Sequence, residues 1–391
     1  MFGHSLTIAA MALIVFSSSK AFAQSLTQQL ATLLTEQRAS PVPFVPDPSA
    51  AAATTATVAG LFEVELATLP LATSSGGFVY RLNPNLAVVE RASDTFGPFF
   101  TERTLQNGRG QTSVGISQQY SNFTSLQGAD LGNGTFPTNA ARITGATQPF
   151  SVDTLQLRLQ AYTTTIFASH GVTDRLSVGA IVPITSVSFS GQRVRTINGQ
   201  SSLQSVQRGS AAGIGDIGGN ARFLLKGNGS RGISVGGDLR LPTGSKEDLL
   251  GAGQAAARFM GIGSWEEGPL AVHANGGFGV GGVSREIFWS TASTFAAAQR
   301  LTIVGELIGR RLSELSHVQD VYQASPLVGN VETMRWLGSD AGIHTTFVVA
   351  GAKWNLTRSW LLNANLLIRM TDAGLRARVT PAVSIDYAFE R

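Results

Sequence analysis

The feature of this chain that most limits its fold is a period-two alternation of apolar and polar side chains, over segments longer than an ordinary strand. In residues 155–167 the odd positions carry Leu, Leu, Leu, Ala, Thr, Thr and Phe, whereas the even positions from 156 to 164 carry Gln, Arg, Gln, Tyr and Thr. The pattern returns in residues 360–370 and 379–389. Because successive side chains of a strand point to opposite faces, each segment is predicted to be a β-strand with one apolar face.

The alternating segments predict twelve strands. They are residues 112–123, 153–168, 174–190, 214–225, 231–242, 253–263, 268–281, 285–297, 300–312, 343–356, 358–371 and 375–389. The long connections, 124–152, 191–213 and 313–342, all fall at one end of the strands, and the connections at the other end are short. An even number of long strands with such unequal loops is typical of outer-membrane barrels. The sequence therefore predicts an all-β fold, a transmembrane antiparallel β-barrel of about 12 strands, over residues 112–391.

A soluble β-sandwich would also alternate, with its apolar face turned inward. Composition favours the barrel, because only 14% of the residues are charged, against about 25% in an average soluble domain. Aromatic residues also fall where an interfacial girdle would lie. Trp265, Trp354 and Trp360 lie in or beside short connections, and Tyr387 and Phe389 end the last strand at the same edge.

The N-terminus predicts export. Residues 1–23 have the pattern of a signal peptide, with an apolar run from Leu6 to Phe16 and the cleavage motif Ala21-Phe22-Ala23 before Gln24. We therefore expect the protein in the bacterial outer membrane. The chain contains no cysteine, so neither disulfides nor a thiolate metal site are predicted. No run of about 18 apolar residues follows the leader, so a helical membrane span is not expected.

Residues 24–111 precede the regular strands and are predicted to hold a helix, a Pro/Ala-rich linker and a plug-like segment. A leucine stripe, with i, i+4, i+7 and i+8 spacing, predicts a short amphipathic helix. A hairpin is predicted within residues 77–91, turning at Asn83-Pro84. Two alternatives remain open: a plug folded into the lumen, or a periplasmic tether with two further strands, which would make 14. The stripe is Leu26, Leu30, Leu33 and Leu34, and the plug candidates are Phe96, Phe99 and Phe100.

Polar side chains opposite the apolar faces are predicted to share the lumen. By the same parity, Leu157 and Leu362 are predicted to face lipid. The inward row could brace a filled interior by pairing across strands, or form a polar pore whose excess of arginine tunes passage. The lumen-lining candidates are Gln156, Arg158, Asn220, Arg222, Asp238, Arg240, His273, Glu306, Arg310, Asn363, Arg369 and Asp386, with Asn275 and Arg378 on the same pattern.

Two residue patterns match enzyme motifs, but their predicted structural context does not. Residues 213–218 read G-x-G-x-x-G, but they open onto a predicted strand, whereas a dinucleotide site needs a helix N-terminus. Residues 232–236 read G-x-S-x-G, but Ser234 lies within continuous alternation and not in a strand–turn–helix. An embedded lipid hydrolase would need a Ser or His with an acidic partner near the outer rim, and His317 with Glu314 and Asp320 is the one such set there. No pair of histidines has metal-ligand spacing. No enzyme activity, metal or cofactor is predicted.

Several strings resemble a known family. They are TFGPFFTER (95–103), GVTDRLSVG (171–179), GIGD (213–216), DLRLPTG (238–244) and DAGLR (372–376). The chain resembles, over roughly residues 60–389, the outer-membrane transporters named for the MetA (meta-cleavage) pathway of phenol degradation. The resemblance implies a barrel that passes small, often aromatic, hydrophobic compounds, similar in concept to the long-chain fatty-acid channels. The end departs from the usual terminal Phe or Trp, because Phe389 is followed by Glu390 and Arg391.

The predicted function is an outer-membrane channel or transporter for small apolar or aromatic solutes, by passive or gated diffusion. The alternative is a structural or surface-interaction barrel without selective transport, with loops 124–152 and 313–342 as its working surface. The expected partners are outer-membrane lipids and small hydrophobic or aromatic solutes. Nucleic acid is not expected, because the formal net charge is only +4 and no Lys/Arg cluster is present. The oligomeric state stays open.

Overall fold

The computed structural model describes residues 24–38, 47–68, 70, 77, 80–83, 88–227, 231–313, 317–339, 342–357 and 359–389. The predicted signal peptide, the prolines at 41, 43, 46 and 84, Glu314 and the last two residues lie outside the described residues. Two helices precede the sheet, α1 (Leu26–Thr35) and α2 (Pro48–Ala67). The leucine stripe forms α1 as predicted, with Ser25 and Gln28 completing a capping box.

Twenty strands follow in the described part of the chain. They are β1 (Tyr80–Asn83), β2 (Val88–Arg91), β3 (Thr112–Leu126), β4 (Ala129–Asp130), β5 (Phe136–Ile143), β6 (Ser151–Gly171), β7 (Leu176–Ile197), β8 (Gln200–Ile214), β9 (Gly218–Gly227), β10 (Arg231–Arg240), β11 (Ala256–Glu267), β12 (Leu270–Gly281), β13 (Glu286–Ala298), β14 (Leu301–Leu312), β15 (His317–Ala324), β16 (Val331–Ser339), β17 (Ile343–Asn355), β18 (Trp360–Arg369), β19 (Leu375–Ala377) and β20 (Val379–Ala388).

Twelve of these strands form a closed antiparallel barrel, which confirms the predicted fold class. The wall strands are β3, β6, β7, β9 to β14, β17, β18 and β20, each antiparallel to its neighbours. The seam closes where β20 pairs with β3, with Ile385 opposite Ile116. The predicted hairpin is present as β1 and β2, which pair only with each other. The 14-strand alternative is therefore wrong.

The long connections are not loops, because they carry further strands. β8 pairs with the far half of β7, β15 pairs with β16, and β16 pairs with β5. The wall is therefore taller on one side, where β6 and β7 have 21 and 22 residues against 10 in β9 and β10. These strands were not predicted, because their polar residues occupy both faces and hide the alternation. We call this end the long-loop end and the opposite one the short-turn end.

The barrel exterior carries an apolar belt. Large side chains such as Ile233, Phe278 and Ile303 point outward and are more than half exposed. At the short-turn end Tyr387 packs against Trp360 and Phe389, with ring centroids 4.8 and 4.9 Å apart. A closed barrel with exposed aliphatic side chains and an aromatic edge has the exterior of a transmembrane barrel and not of a sandwich.

Along the whole of β6 the predicted parity is wrong. Within the belt Ile166 points outward and is 47% exposed, whereas Phe167 is inside and 4% exposed. The far half has the same orientation. Leu155, Leu157 and Leu159 are at most 1% exposed and face the interior, whereas Gln156 is half-buried and Arg158 is exposed on the outside. This half of the strand rises beyond the apolar belt, so its outer face meets water. Its inner face covers α1 and α2, and the apolar side therefore turns inward as in a soluble sheet.

The Ala/Thr-rich run, predicted as part of a linker, is the helix α2. Within the described residues it is the one helix whose length and composition would suffice to cross a membrane, which sequence analysis overlooked. It lies inside the barrel, where Val58, Leu61 and Phe62 join α1 and the inward leucines of β6 in the largest apolar cluster. The two described helices therefore lie in the lumen, as the plug alternative expects.

Candidate functional site

The helix plug, defined as α1 and α2, fills the long-loop end of the barrel. The α1 stripe packs against Leu157 and Phe189, and a Cβ at Gly191 would meet the Leu33 side chain at 2.6 Å. Each fully buried leucine contributes about 1.5–3 kcal/mol of transfer free energy. Apolar burial therefore supplies most of the attachment of α1.

The C-terminal end of α1 is closed by a buried cluster on β6 and β7. Arg193 donates hydrogen bonds to the carbonyl oxygens of Leu33, at 3.0 Å, and of Glu36. Asp153 accepts from Arg193 and from Arg195, the latter at 2.6 Å. A cation at the C-terminus of a helix is favourable, because the last carbonyls are left without helical partners.

Helix α2 is fixed to the wall at both ends by a carboxylate. Asp47 caps the N-terminus and accepts from Arg335 of β16 at 2.8 Å. Burial raises the pKa of Asp47, but hydrogen bonds from Ser49 and the charge of Arg335 outweigh it, so this pKa lies below its usual range. At the other end Glu65 pairs with Arg369 at 2.8 Å and with Arg310 at 3.8 Å.

The loop plug, defined as residues 95–107, closes the short-turn half of the lumen. Glu306 of β14 receives the N–H of Phe99, the N–H of Phe100 at 3.2 Å, and both the N–H and the hydroxyl of Thr101 at 2.8 Å. Lys353 of β17 donates to the carbonyl oxygen of Pro98 at 2.6 Å. One wall carboxylate thus satisfies three consecutive backbone donors that the loop could not pair by itself.

The opposite edge of the loop plug is fixed to other strands. Glu102 pairs with Arg222 of β9 at 2.8 Å, and the N–H of Thr104 donates to Ser264 of β11 at 3.0 Å. Gly97 has a φ of +71°, and a side chain there would collide with the Arg103 guanidinium folded over it. The loop plug is therefore held by polar contacts to wall strands on both sides of the lumen.

The three predicted plug phenylalanines lie inside the barrel at different places. Phe96 packs against Leu361 near the short-turn end, and Phe99 joins a cluster of wall residues that includes Val304. Phe100 is half-buried and lines a cavity. Only Phe100 is therefore placed to contact a solute.

Between the two plugs lies a chamber of about 150 Å³. A smaller void of about 40 Å³ shares Thr68, Asp238, Arg240, Arg258 and Glu286 with it and extends to the long-loop edge of β10 to β13. A third void, of about 20 Å³, lies beside Phe99, Lys353 and Asp386. The chamber is thus open toward the long-loop end and floored by the loop plug.

The strand register arranges the chamber wall in two rows. Asp238, Arg258 and Glu286 are in register across β10 to β13 through Gly279, and Arg258 pairs with Glu286. One inward position closer to the short-turn end, Met260 and Phe288 are in register through Gly277. A charged rim therefore lies over an apolar and aromatic wall.

The formal charge of the chamber lining is balanced. It carries three arginines and three carboxylates: Arg240, Arg258 and Arg310, and Glu102, Asp238 and Glu286. The sequence-based expectation of an arginine excess therefore does not hold for the chamber itself, since wall acids from neighbouring strands and one acid of the loop plug compensate the arginines.

Ten of the twelve lumen-lining candidates face the interior, but they serve four different places. Asn220, Asp238, Arg240 and Arg310 reach the chamber, Arg222 and Glu306 hold the loop plug, and Arg369 holds the helix plug. His273 bonds Ser264 at 2.9 Å, and Asn363 bonds Asp386 at 3.0 Å, both within the wall. Gln156 and Arg158 lie outside, because β6 reverses its apolar side above the belt; Asn275 is inside and Arg378 is exposed.

Sequence reasoning missed several residues that build the site. Three of them lie in predicted strands: Arg258, Glu286 and Lys353. Each directly precedes an outward residue of the same strand, Phe259, Ile287 or Trp354, so the alternation alone could have predicted that they face inward. Asp47, Glu65 and Glu102 carry no such signal, because they lie in segments without a strand period and their partners are remote in sequence.

Neither enzyme-like motif lies in the structural context that its chemistry requires. Ser234 is a buried mid-strand residue of β10, and residues 213–218 join β8 to β9 with no helix following. Among the described residues, no group of three or more His, Cys, Asp or Glu side chains could hold a metal ion.

These observations define the chain as a closed twelve-strand transmembrane barrel with an N-terminal plug in its lumen. No protein-family model and no curated protein sequence matches it. Solved outer-membrane channels are similar in fold. One from Pseudomonas putida F1 is 14% identical with a TM-score of 0.49, over 73% of this chain and 98% of that one. The P. putida toluene transporter TodX is 10% identical with a TM-score of 0.36 over 72% and 91%, and the KdgM porin is 9% identical with 0.38 over 71% and 99%. The resemblance to the MetA-pathway family stays a prediction.

Proposed function

We propose that this protein is a gated outer-membrane channel for small, largely apolar solutes such as single-ring aromatic compounds. The observation that carries the proposal is the chamber between the two plugs, with its extension to the long-loop edge. A purely structural barrel has no need of an interior cavity with an approach from one side.

The proposed location rests on the exterior. The apolar belt with an aromatic edge requires a bilayer, and a closed barrel leaves no unpaired strand edge in it. Outer-membrane barrels keep short turns on the periplasmic side and long connections outside. We therefore place the long-loop end, with the helix plug, at the cell surface, and the loop plug near the periplasm.

The proposed solute class rests on the size and lining of the chamber. A cavity of about 150 Å³ is of the size that holds one benzene ring. Phe100, Phe288 and Phe347 offer ring contacts, and Met260 an adaptable apolar one. Because the charges around the chamber balance, neither an anion nor a cation is favoured by net charge.

Solute flux into liposomes tests the proposal. We expect reconstituted protein to admit a neutral single-ring aromatic faster than a sugar of similar mass or an aromatic carboxylate. Phe288→Ala should lower this preference because it removes a chamber wall, whereas Phe278→Ala, an outward phenylalanine on the neighbouring β12, should leave it unchanged. Equal flux of the three solutes, or no flux above that of empty liposomes, contradicts the proposal.

A second candidate function is supported by the tall side of the barrel. β5, β8, β15 and β16 extend the wall beyond the belt and present a folded surface at the long-loop end. Such a surface suits contact with other envelope components. A protein that folds normally but shows no flux in any of the three solutes supports this function instead.

A further inference from the structure

The outer face of the tall side, above the apolar belt, carries two arginines in one row. Arg158 of β6 is directly opposite Ser190 of β7, and Ser190 is directly opposite Arg208 of β8. Directly opposed residues share a face, and their Cα atoms are about 5 Å apart, so the two arginines flank Ser190 at about 10 Å from each other. Both arginines are exposed.

These two arginines have no ion pair among the described residues, unlike the two on the inner face of β7 between them. Inside, Arg193 and Arg195 share Asp153. Outside, within the described part of the chain, neither Arg158 nor Arg208 has a hydrogen-bond or ion-pair partner. The outward positions of β6 to β8 around them hold Gln, Ser, Thr, Tyr, Val and Ala and no acidic residue. On the other side of Arg158, β4 carries the exposed Asp130, whose carboxylate accepts from the N–H groups of Gly132 and Asn133 and is not ion-paired with Arg158. The row is therefore a local positive site.

The height of the row is fixed by its neighbours. The outward row at Tyr120 and Tyr162, whose rings are 4.6 Å apart, adjoins the aliphatic belt at Ile166 and Ile184. Arg158 lies four residues further along β6, which is about 13 Å of strand. With the usual tilt of wall strands this is about 10 Å above the aromatic pair, where headgroups and not acyl chains surround the barrel.

We propose that Arg158 and Arg208 bind the phosphate of an outer-leaflet glycolipid, with the Ser190 hydroxyl between them. Guanidinium groups match phosphate oxygens with paired, charge-assisted hydrogen bonds, and Ser188 and Ser210 in the adjacent row add hydroxyl donors. The acyl chains of the same lipid would lie on the belt at Ile184 and Ile214, which are 42% and 52% exposed. The site needs the proposed outer-membrane orientation, but it needs no transport.

The test measures binding of three probes to the full-length protein in detergent, by native mass spectrometry and thermal stabilisation. The probes are a bisphosphorylated glucosamine-disaccharide lipid, the same lipid without phosphates, and inorganic phosphate. We expect the phosphorylated lipid to bind in a salt-dependent manner and the other two to bind at least about tenfold more weakly.

Arg158→Gln with Arg208→Gln should weaken binding of the phosphorylated lipid by about tenfold or more. Arg175→Gln with Arg300→Gln, two exposed arginines at the short-turn end, is the matched control and should leave it unchanged. Equal binding by both double variants, equal binding of the phosphate-free lipid, or binding of inorganic phosphate alone overturns the proposal. Solute flux in liposomes is a separate readout, so a failed transport proposal is distinguishable from a failed lipid site.

Discussion

The two plugs occupy the same lumen but are held by different physics. The helix plug buries a leucine stripe against the leucines of β6, and its two carboxylate–arginine contacts fix the ends of α2. The loop plug is held mainly by wall side chains that bond its backbone, above all Glu306. Apolar burial has no substitute in water, whereas water can replace hydrogen bonds at small net cost. The comparison indicates that the loop plug is the movable element and the helix plug the fixed one.

The largest effect should come from Glu306→Ala. This change leaves three backbone N–H groups of the loop plug without an acceptor, and hydrogen bonds to a charged group contribute about 1.5–3 kcal/mol each. We expect faster entry of small solutes into liposomes. Asp386→Asn is the control, since within the described residues the hydrogen bonds of this buried carboxylate go to wall residues, Asn363 and Ser384, and not to the backbone of the loop plug. Unchanged flux in Glu306→Ala would show that the loop plug does not limit passage.

Glu65→Gln should loosen the C-terminal end of α2 in the helix plug. It leaves Arg310 and Arg369 without their shared carboxylate, and breaking a buried ion pair costs about 3–5 kcal/mol. Because the chain has no cysteine, Val58→Cys in α2 can report exposure by thiol labelling. Labelling should rise in Glu65→Gln and stay low in Glu63→Gln, whose partner Lys246 is half exposed. Equal labelling in the two variants would show that the contact of Glu65 with Arg310 and Arg369 does not hold α2 in place.

Two leucine-to-arginine changes separate the plug from the lipid belt. Leu362→Arg places a charge in the belt and should impair insertion by about 2–4 kcal/mol if it lies near the bilayer midplane. Leu157→Arg should leave insertion intact and loosen the helix plug, because Leu157 is buried in the apolar cluster that holds both of its helices. Heat-modifiable migration measures insertion, and thiol labelling at Val58→Cys measures loosening. Loss of insertion in Leu157→Arg would instead support the sequence-based prediction that Leu157 faces lipid.

The smallest effect should come from Asp47. Asp47→Ala removes an N-cap, which costs about 0.5–2 kcal/mol. Since the folded pKa of Asp47 is lowered, its contribution is present above its usual pKa of 3.8 and is lost as pH falls through the folded value. Thiol labelling at Ala50→Cys should therefore rise in wild type only below about pH 4, and should be raised at neutral pH in Asp47→Ala. If the extent of labelling at Ala50→Cys did not change with pH, this linkage would be contradicted.

The barrel could be predicted from sequence because lipid contact imposes a regular apolar period on every wall strand. The prediction failed on β6 for the same reason: above the belt the period persists, but the solvent outside is water, and only the position of the belt tells which face is apolar. The sequence predicted that a helix and a plug-like segment precede the barrel, but it did not predict which wall residues they contact. Nothing local in the Ala/Thr-rich run marks Glu65 as the partner of Arg369, 304 positions away.

The placement of the N-terminal segment has a consequence for assembly. The chain lies at the long-loop end at Thr68 and at the short-turn end at Gly77, where Arg103 bonds its carbonyl oxygen. The contact between Asp47 and Arg335 joins residues that are 288 positions apart in the chain. Such separations delay folding, because the entropy of closing the chain is lost before the contacts compensate it. Helix α2 is thus among the last elements to find its wall partners, although its residues come early in the chain.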